Sequence, residues 1–353
     1  MARLSVYQRG YKTMLEAVHR KKWLSKSLIV AVVIGIFLAL GFIPIASFSF
    51  GPGDAIPVNT QIHFSGEHSM SGEGKVLMAD VLLTQLSPIT WLLDHLNPEI
   101  TIYPAYEVFG NSIPSNVPAS QIGEMLDAKT QAVLAALNYS HTPYKSISGA
   151  LVQSVESQTS SKIHPGDIIF SVDGLRTSTL QGAVDAITKG SSKIRLVLLR
   201  QAGEVGAYLK VSVVATKFHS GGREILGVGL SSGSIVQLGT PIMISTGQIG
   251  GPSAGLAFTL GILQARGLLH LYRSSVIAAT GTIDATGNVG DVGGVRQKAF
   301  AVARQDAHYF LVPPQEYQAA LSAGIKNLHI VSISSLRQAL GFIVGHKLGY
   351  LTR

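Results

Sequence analysis

A serine and a lysine in the second half of the chain could act as a nucleophile and its base. Ser253 lies in the string Gly-Gly-Pro-Ser-Ala-Gly at 250–255, and Lys298 follows 45 residues later at the start of an apolar segment. A serine hydroxyl attacks only if a nearby group takes its proton, and a lysine can do so only if burial lowers its pKa. The small and apolar residues 299–303 predict such burial. Ser253 and Lys298 are therefore candidates for a Ser-Lys catalytic dyad.

The glycine-rich turn around Ser253 has the residue types that an oxyanion site needs. Gly251, Pro252 and Gly255 let the backbone approach a substrate closely, and a helix is predicted from Ser253 to Ala265. Free N–H groups and the positive dipole end of that helix would then face the nucleophile. The same residues are also typical of a plain Gly-Pro turn with a serine cap. The turn taken alone thus leaves both interpretations open.

The pairing of the serine with the lysine resembles the proteolytic domain of Lon proteases. In that family the serine lies in a Pro-Ser-Ala-Gly turn, and the lysine follows some forty residues later, after a Thr-Gly segment and a glycine-rich hairpin. This chain has the Thr-Gly segment at 280–283 and the hairpin at 287–295. The resemblance implies that Ser253 is the nucleophile, that Lys298 is the general base, and that Thr280 supports the dyad.

The chain departs from many ATP-dependent Lon enzymes at Gly251, where those enzymes carry an acidic residue. It is similar in this respect to membrane-bound, ATP-independent relatives that carry Gly-Gly-Pro-Ser-Ala-Gly. No G-x-x-x-x-G-K-[ST] string occurs in the chain, so we expect proteolysis without ATP and without a cofactor. His63 and His68 match no metalloprotease motif, and no metal site is predicted.

Two other interpretations stay open at this stage. Residues 251–255 also satisfy G-x-S-x-G, the nucleophile elbow of α/β-hydrolases, which requires an aspartate and a histidine later in the chain. A long glycine-rich loop before Ser253 argues against such a tight elbow. The formal partners would come from Asp284, Asp291 or Asp306 with His308, His329 or His346. The second alternative is a non-catalytic, membrane-tethered PDZ adaptor that keeps the Lon-like fold without its activity.

The N-terminal part of the chain predicts a membrane anchor. Hydrophobic residues make up 46% and charged residues 14% of the 353 residues, and no charge occurs from Ser27 to Gly53. We expect a transmembrane helix over residues 28–50 in contact with the lipid bilayer. The alternatives are cleavage near Ala46, as in a signal peptide, and a buried core helix. Seven basic residues and one acidic residue precede the run, which predicts a single-pass cell-membrane protein with a cytoplasmic N-terminus and an extracellular catalytic domain.

Charge and cysteine content exclude several classes of function. The net charge is +8, and seven basic residues lie in the leader, so the rest of the chain is nearly balanced. The excess of positive charge is thus explained by the basic leader before the predicted anchor, and no nucleic-acid partner is expected. The absence of cysteine excludes a disulfide scaffold, a cysteine nucleophile and thiolate metal sites.

The middle of the chain resembles a PDZ domain. Residues 163–174 contain Pro-Gly-Asp and then Val-Asp-Gly, in the order found in the core of that family. The resemblance implies a β-rich domain in which a peptide adds as a strand beside an early β-strand and a neighbouring helix. The peptide-binding residues would be Gly149, Ala150, Leu151 and Val152 near the carboxylate-binding end, and Leu180, Val184 and Ile187 on the helix wall.

The sequence therefore predicts a multidomain protein of α/β and α+β class. The expected segments are a basic leader at 1–27, the anchor at 28–50, a hairpin and helical region at 54–144, a PDZ-like domain at 145–216 and a Lon-like α/β proteolytic domain at 217–353. We expect an ATP-independent serine endopeptidase that cleaves polypeptides presented by the PDZ-like domain. The Lon resemblance also implies a homo-oligomer, with a hexameric ring as the family's usual form.

Overall fold

A computed structural model describes Gly35 and residues 40–64, 74–109, 117–201, 203–246 and 249–352, with only the backbone for 117–122. The chain divides into two compact units. One unit comprises Met1–Ser49 and Leu83–Val108, and the other comprises Phe50–Leu82 and Phe109–Arg353. The candidate dyad belongs to the second unit.

The described residues form eight α-helices of five or more residues and two 3-10 helices. The α-helices are α1 (Pro88–Asp94), α2 (Ala105–Phe109), α3 (Val117–Tyr139), α4 (Leu180–Lys189), α5 (Gly255–Ala265), α6 (Val295–Ala303), α7 (Tyr317–Leu321) and α8 (Leu336–Gly345). The 3-10 helices are Val58–Thr60 and Pro314–Glu316.

Twenty strands complete the described secondary structure. In the first half of the chain they are β1 (Ser47–Pro57), β2 (Ile62–Phe64), β3 (Lys75–Gln85), β4 (Thr101–Pro104), β5 (Lys145–Val155), β6 (Ile168–Val172) and β7 (Leu175–Arg176). They continue as β8 (Lys193–Gln201), β9 (Tyr208–Thr216), β10 (Phe218–Ser220), β11 (Arg223–Ile225), β12 (Val228–Gln237) and β13 (Ile242–Ile244). The last are β14 (Leu269–Leu271), β15 (Val276–Ala279), β16 (Thr282–Ile283), β17 (Val289–Gly290), β18 (Tyr309–Val312), β19 (His329–Ser332) and β20 (Gly349–Leu351).

One six-stranded sheet forms the frame of the candidate site, in the order β19-β18-β15-β3-β1-β4. β15 pairs in parallel with both β18 and β3, and β18 pairs in parallel with β19. β15 and β18 are short apolar runs with buried side chains, as expected for central parallel strands. Because β3 precedes residues 145–216 and β15 follows them, chain segments on both sides of the PDZ-like stretch build this sheet.

Helix α5 is buried on all sides. Its side chains Leu256, Phe258, Leu260 and Leu263 are fully buried. A helix that is hydrophobic all round is typical of a protein core. It packs against α3, the 23-residue helix within the segment 54–144 for which a hairpin and helical region was predicted.

A second sheet has the order β12-β5-β6-β8-β9, with β7 paired to β6 and α4 packed against β5. Asp173 and Gly174 both have positive φ, 48° and 86°, as the two-residue turn between β6 and β7 requires. The buried Asp167 carboxylate accepts two hydrogen bonds of 2.7 Å from Arg200, through Nε and Nη2. This bidentate pair joins the turn before β6 to β8.

The prediction of a fold that includes a transmembrane helix over residues 28–50 is wrong. No helix in the described part of the chain is long and apolar enough to cross a membrane. Residues 1–34 and 36–39 of the leader and span lie outside the described residues. At the described end of the predicted span, Pro44 follows the helical residues 40–42, and β1 begins at Ser47. Proline ends a helix, and the alternating Ser-Phe-Ser-Phe at 47–50 has the period of a strand.

We expect the substitution Leu260→Ala to lower the free energy of unfolding by about 2–5 kcal/mol, because it leaves a cavity beside α5. Leu260 is 0% exposed. Leu209→Ala is the matched control, since Leu209 is 58% exposed on β9 and its truncation should cost no more than about 0.5 kcal/mol. Urea denaturation followed by circular dichroism measures both. Equal losses in the two variants would contradict the packing of α5.

Candidate active site

Ser253 lies in the loop between β13 and α5, half-buried at the start of the helix. Gly251 has φ +84°, a backbone conformation that favours glycine, and nothing lies within 4 Å of the Cβ it lacks. Gly255 is required for a different reason. A Cβ at this position would lie 2.9 Å from the backbone nitrogen of Ile283, so its absence lets α5 approach β16 closely.

The backbone of Ser253 is held by the residues that follow β15. The Ser253 carbonyl accepts a 2.9 Å hydrogen bond from Gly281 N–H and a 3.2 Å hydrogen bond from Thr280 Oγ1. The Gly281 carbonyl in turn accepts from Leu256 N–H at 3.1 Å. Thr280 is fully buried, and its own N–H donates to Leu311 O at 3.0 Å. The end of the central strand therefore fixes the position of the Ser253 main chain.

Lys298 projects from α6 into the protein interior and is only 2% exposed. Gly294 is the N-cap of α6, its left-handed φ of 68° suits glycine, and its carbonyl accepts a 3.0 Å hydrogen bond from Lys298 N–H. The Lys298 Nζ donates to Thr280 Oγ1 at 3.2 Å. Among the described residues, no hydrogen bond joins the Lys298 amine directly to the Ser253 side chain. Thr280 is thus the link that the structure shows between the two.

The pKa of Lys298 is lowered to about 8 because burial removes water from the ammonium group. The carboxylates of Asp80 and Glu316 act in the opposite direction and raise that pKa. Burial also raises the pKa of Asp80, while the hydrogen bond from Asp54 N–H and the charge of Lys298 lower it. The protonation of Lys298 therefore depends on two opposing effects. Burial favours the neutral amine, and the two carboxylates favour the ammonium cation.

Asp80 and Glu316 are site residues that the sequence interpretation missed. Asp80 lies on β3, and Glu316 lies in the 3-10 helix after β18, so neither is near Lys298 in the chain. Burial raises the pKa of Glu316, Asp291 raises it further, and Lys298 lowers it. The signal available for Asp80 was a single charge within the otherwise uncharged, apolar run 76–86. Glu316 gives no such signal in the sequence.

The residues predicted to bind a peptide lie on β5 and α4, but Leu151 packs in a separate apolar cluster with Ile168 and Leu199. Leu180 and Ile187 pack in one apolar cluster with Ala150 and Val152. Val184 points away from that cluster and is 37% exposed. Both edges of β5 are paired: β6 lies on one side and β12 on the other. β5 is therefore an inner strand, and β12 is the end strand of this sheet.

The arrangement required by an α/β-hydrolase does not occur at Ser253. β13 ends at Ile244 and α5 begins at Gly255, so a long loop stands where the elbow demands a tight turn. The Asp284 carboxylate accepts hydrogen bonds from Thr286 and Asn288 of its own turn. In the described part of the chain, no group of three or more His, Asp or Glu side chains could hold a metal ion.

Comparison with known protein families assigns the chain to one of them. Residues 157–341 match the Lon protease (S16) C-terminal proteolytic domain. The chain belongs to this family. The match spans more than half of the 353 residues, contains Ser253, Thr280 and Lys298, and begins inside the PDZ-like stretch. A search of curated proteins found no match. Membership in the Lon family confirms the resemblance noted in the sequence and supports a serine-type peptidase that acts on polypeptides.

We expect the substitution Asp80→Asn to lower the pKa of Lys298 below its value of about 8, because a carboxylate that favours the ammonium is removed. The pKa is measured from the pH dependence of the ¹³Cε resonance of Lys298, which Lys298→Met identifies by its loss. Asp185→Asn, at an exposed position of α4, should leave the titration unchanged. An unchanged or raised pKa in Asp80→Asn would show that Asp80 does not act on the lysine.

Proposed function

We propose that this Lon-family chain is an ATP-independent serine endopeptidase in which Ser253 is the nucleophile and Lys298 the general base. One observation carries the proposal. The buried Lys298 amine, with its pKa lowered to about 8, donates to Thr280, and Thr280 donates to the carbonyl of Ser253. A lysine with a pKa near the working pH is available in its neutral form, which is the form that can accept a proton.

The reaction follows from these positions. Ser253 Oγ attacks the carbonyl carbon of a peptide bond while Lys298 Nζ takes the hydroxyl proton. Collapse of the tetrahedral intermediate breaks the C–N bond, and Lys298 returns the proton to the leaving amine. The acyl group is then bound to Ser253 as an ester. Lys298 next takes a proton from water, and the resulting hydroxide attacks the ester carbonyl carbon. The C–Oγ bond then breaks, Lys298 returns the proton to Ser253 Oγ, and the new carboxyl end is released.

Backbone amides at the start of α5 support the oxyanion in this proposal. The N–H groups of Ser253 and Ala254 have no acceptor among the described residues, and α5 places its positive dipole end beside them. Preorganised donors of this kind stabilise the negative oxygen of a tetrahedral intermediate. Each donor is typically worth about 10²–10³-fold in rate.

The PDZ-like part of the proposal is supported by the second sheet. The Pro-Gly-Asp string at 165–167 precedes β6, the Asp-Gly turn joins β6 to β7, and α4 packs beside β5. This order of strands and helix agrees with the resemblance noted in the sequence. We propose that residues 145–216 handle polypeptide segments for the peptidase site.

The purified full chain should cleave casein without ATP, and Ser253→Ala should lower kcat/KM by more than about 10⁴-fold. Lys298→Met should lower it by about 10²–10⁴-fold, because the general base is lost while the volume of the side chain is nearly kept. Gel electrophoresis and a fluorescent casein assay measure these rates. Activity that survives Lys298→Met would refute the assigned base.

Lys217→Met is the matched control for loss of a buried lysine. Lys217 is also buried, but its Nζ donates to Gly190 O at 2.6 Å, away from Ser253. This variant should lose stability and keep kcat. No cleavage by the wild type, together with no labelling of Ser253 by a fluorophosphonate probe, would favour the non-catalytic PDZ adaptor instead.

Thr280→Val should lower kcat by about 10–100-fold, because Lys298 loses its hydrogen-bond acceptor and is no longer held beside Ser253. Thr280→Ser keeps a hydroxyl at the same atom and should recover most of the rate. We compare kcat with the midpoint of thermal unfolding in each variant, which distinguishes an effect on the position of Lys298 from an effect on the stability of the fold. If both variants lose activity in proportion to their midpoints, Thr280 has only a structural role.

A further inference from the structure

Helix α1 is an apolar helix without a buried residue. It contains Trp91, Leu92 and Leu93, and one more turn leads to Leu96, whose N–H donates to Leu93 O at 3.1 Å. Leu92 and Leu93 are each 59% exposed, and Leu96 is 76% exposed. A surface helix of a globular protein normally turns its apolar stripe toward the core. The side chains of α1 are exposed instead, and an exposed apolar patch marks a binding surface.

The apolar side chains of α1 share one side of the helix. Residues three and four positions apart are neighbours on a helix surface. The apolar residues at this spacing are Ile89, Leu92, Leu93 and Leu96. Ser87 caps the helix, because its Oγ accepts a 3.2 Å hydrogen bond from Thr90 N–H while Thr90 Oγ1 accepts one of 2.7 Å from Ser87 N–H. The apolar stripe therefore belongs to an ordered, capped helix.

The chain that leads into β1 adds two more exposed apolar side chains near α1. Ile45 N–H donates to Leu86 O at 2.8 Å, just before the cap of the helix. Gly41 also lies close to the helix, since a Cβ there would be 3.7 Å from Ile89 Cδ1. The next two residues are exposed, the first of them by 85%. We call the exposed apolar side chains of these two segments the α1 face; they are Phe42, Ile43, Trp91, Leu92, Leu93 and Leu96.

The size and composition of α1 suit the surface of a bilayer. Its seven residues span about 10 Å, whereas the hydrocarbon core of a bilayer is about 30 Å thick, so α1 is too short to cross it. A helix with one apolar side and polar groups elsewhere lies along the boundary between headgroups and acyl chains. Tryptophan is enriched at that boundary, because its ring is apolar and its N–H is polar.

The sequence around the α1 face favours uncharged lipid as its occupant. The chain enters the face from a run without a charged residue, which extends from Ser27 to Gly53. An apolar run of this length is stable beside acyl chains. Residues 40–49 and 83–108 contain no lysine or arginine, and their acids are Asp94, Glu99 and Glu107. The face thus has no cation to attract anionic headgroups, and the burial of apolar area has to supply the binding.

We propose that the α1 face binds the surface of a lipid bilayer, with Trp91, Leu92 and Leu93 among the outer ends of the acyl chains and the helix axis along the surface. Phosphatidylcholine should be sufficient for the contact, and salt should not weaken it, because screening acts on charge pairs and the face has none to offer. The α1 face contains none of the residues proposed for the peptidase reaction, so the two proposals are tested separately.

The test follows the fluorescence of Trp91 in the full chain. Trp23 and Trp91 are the two tryptophans, so Trp23→Phe leaves Trp91 as the single emitter. The chain is mixed with phosphatidylcholine vesicles, or with vesicles of the same lipid brominated on its acyl chains, and the bound chain is isolated by flotation. Bromination should lower the Trp91 emission by at least about 2-fold, because the ring lies beside the acyl chains. Iodide in the water should quench Trp91 less with vesicles than without them.

Substitutions of one exposed leucine show whether the α1 face makes this contact. Leu93→Asp places a carboxylate among the acyl chains and should remove most of the quenching by bromine, since a carboxylate is costly to desolvate. Leu93→Gln serves the same purpose if the aspartate variant fails to fold, which circular dichroism checks. Leu209→Asp is the matched control and should leave the quenching unchanged, since Leu209 on β9 is 58% exposed against 59% for Leu93.

Three results would overturn the proposal. The first is failure of the chain to float with vesicles, or equal Trp91 emission in plain and brominated vesicles, which would show that the α1 face stays in water. The second is quenching that requires anionic lipid and disappears at high salt, which would assign the contact to the basic leader. The third is a blue-shifted emission that rises with protein concentration in the absence of lipid, without quenching by bromine. That result would show that a second copy of the chain covers the face.

Discussion

The removal of the Lys298 amine from water is the constraint on which the site depends. A lysine at this depth is stable in its neutral form only if little competes for its proton and its N–H groups have an acceptor. Thr280 Oγ1 supplies that acceptor and at the same time donates to the carbonyl of Ser253. One hydroxyl group thus contacts both the lysine amine and the main chain of the serine.

The surroundings of this hydroxyl come from elements that are far apart in the chain. Thr280 follows the carboxyl end of β15, Ser253 lies in the turn before α5, and Lys298 lies on α6. The buried α5 keeps water from one side, and the close approach at Gly255 brings it against β16. Asp80 and Glu316 partly offset the burial, so the amine is held between its charged and neutral forms rather than driven fully to one.

Much of the site could be predicted from local sequence, and the rest could not. The spacing of Ser253, Thr280 and Lys298 with the glycines between them indicated the family, and most helices and strands of residues 217–353 follow from apolar periodicity. Asp80 and Glu316 act on Lys298 through the fold and leave no pattern near it. The glycines and serines of β12 are poor strand formers, and pairing with the distant β5 extends this strand to Gln237. The span predicted over 28–50 counted apolar residues and neglected the stop at Pro44.

The parallel pairing of β3 with β15 joins residues 75–77 to residues 276–278. During translation, β3 leaves the ribosome long before its partner exists. At about 5–20 residues per second, the intervening chain takes roughly 10–40 s to appear. Throughout that interval one edge of an apolar strand has no native neighbour, and an exposed strand edge is a site of aggregation. β1 pairs with the opposite edge of β3, so the edge that receives β15 stays open until the second half of the sheet has been made.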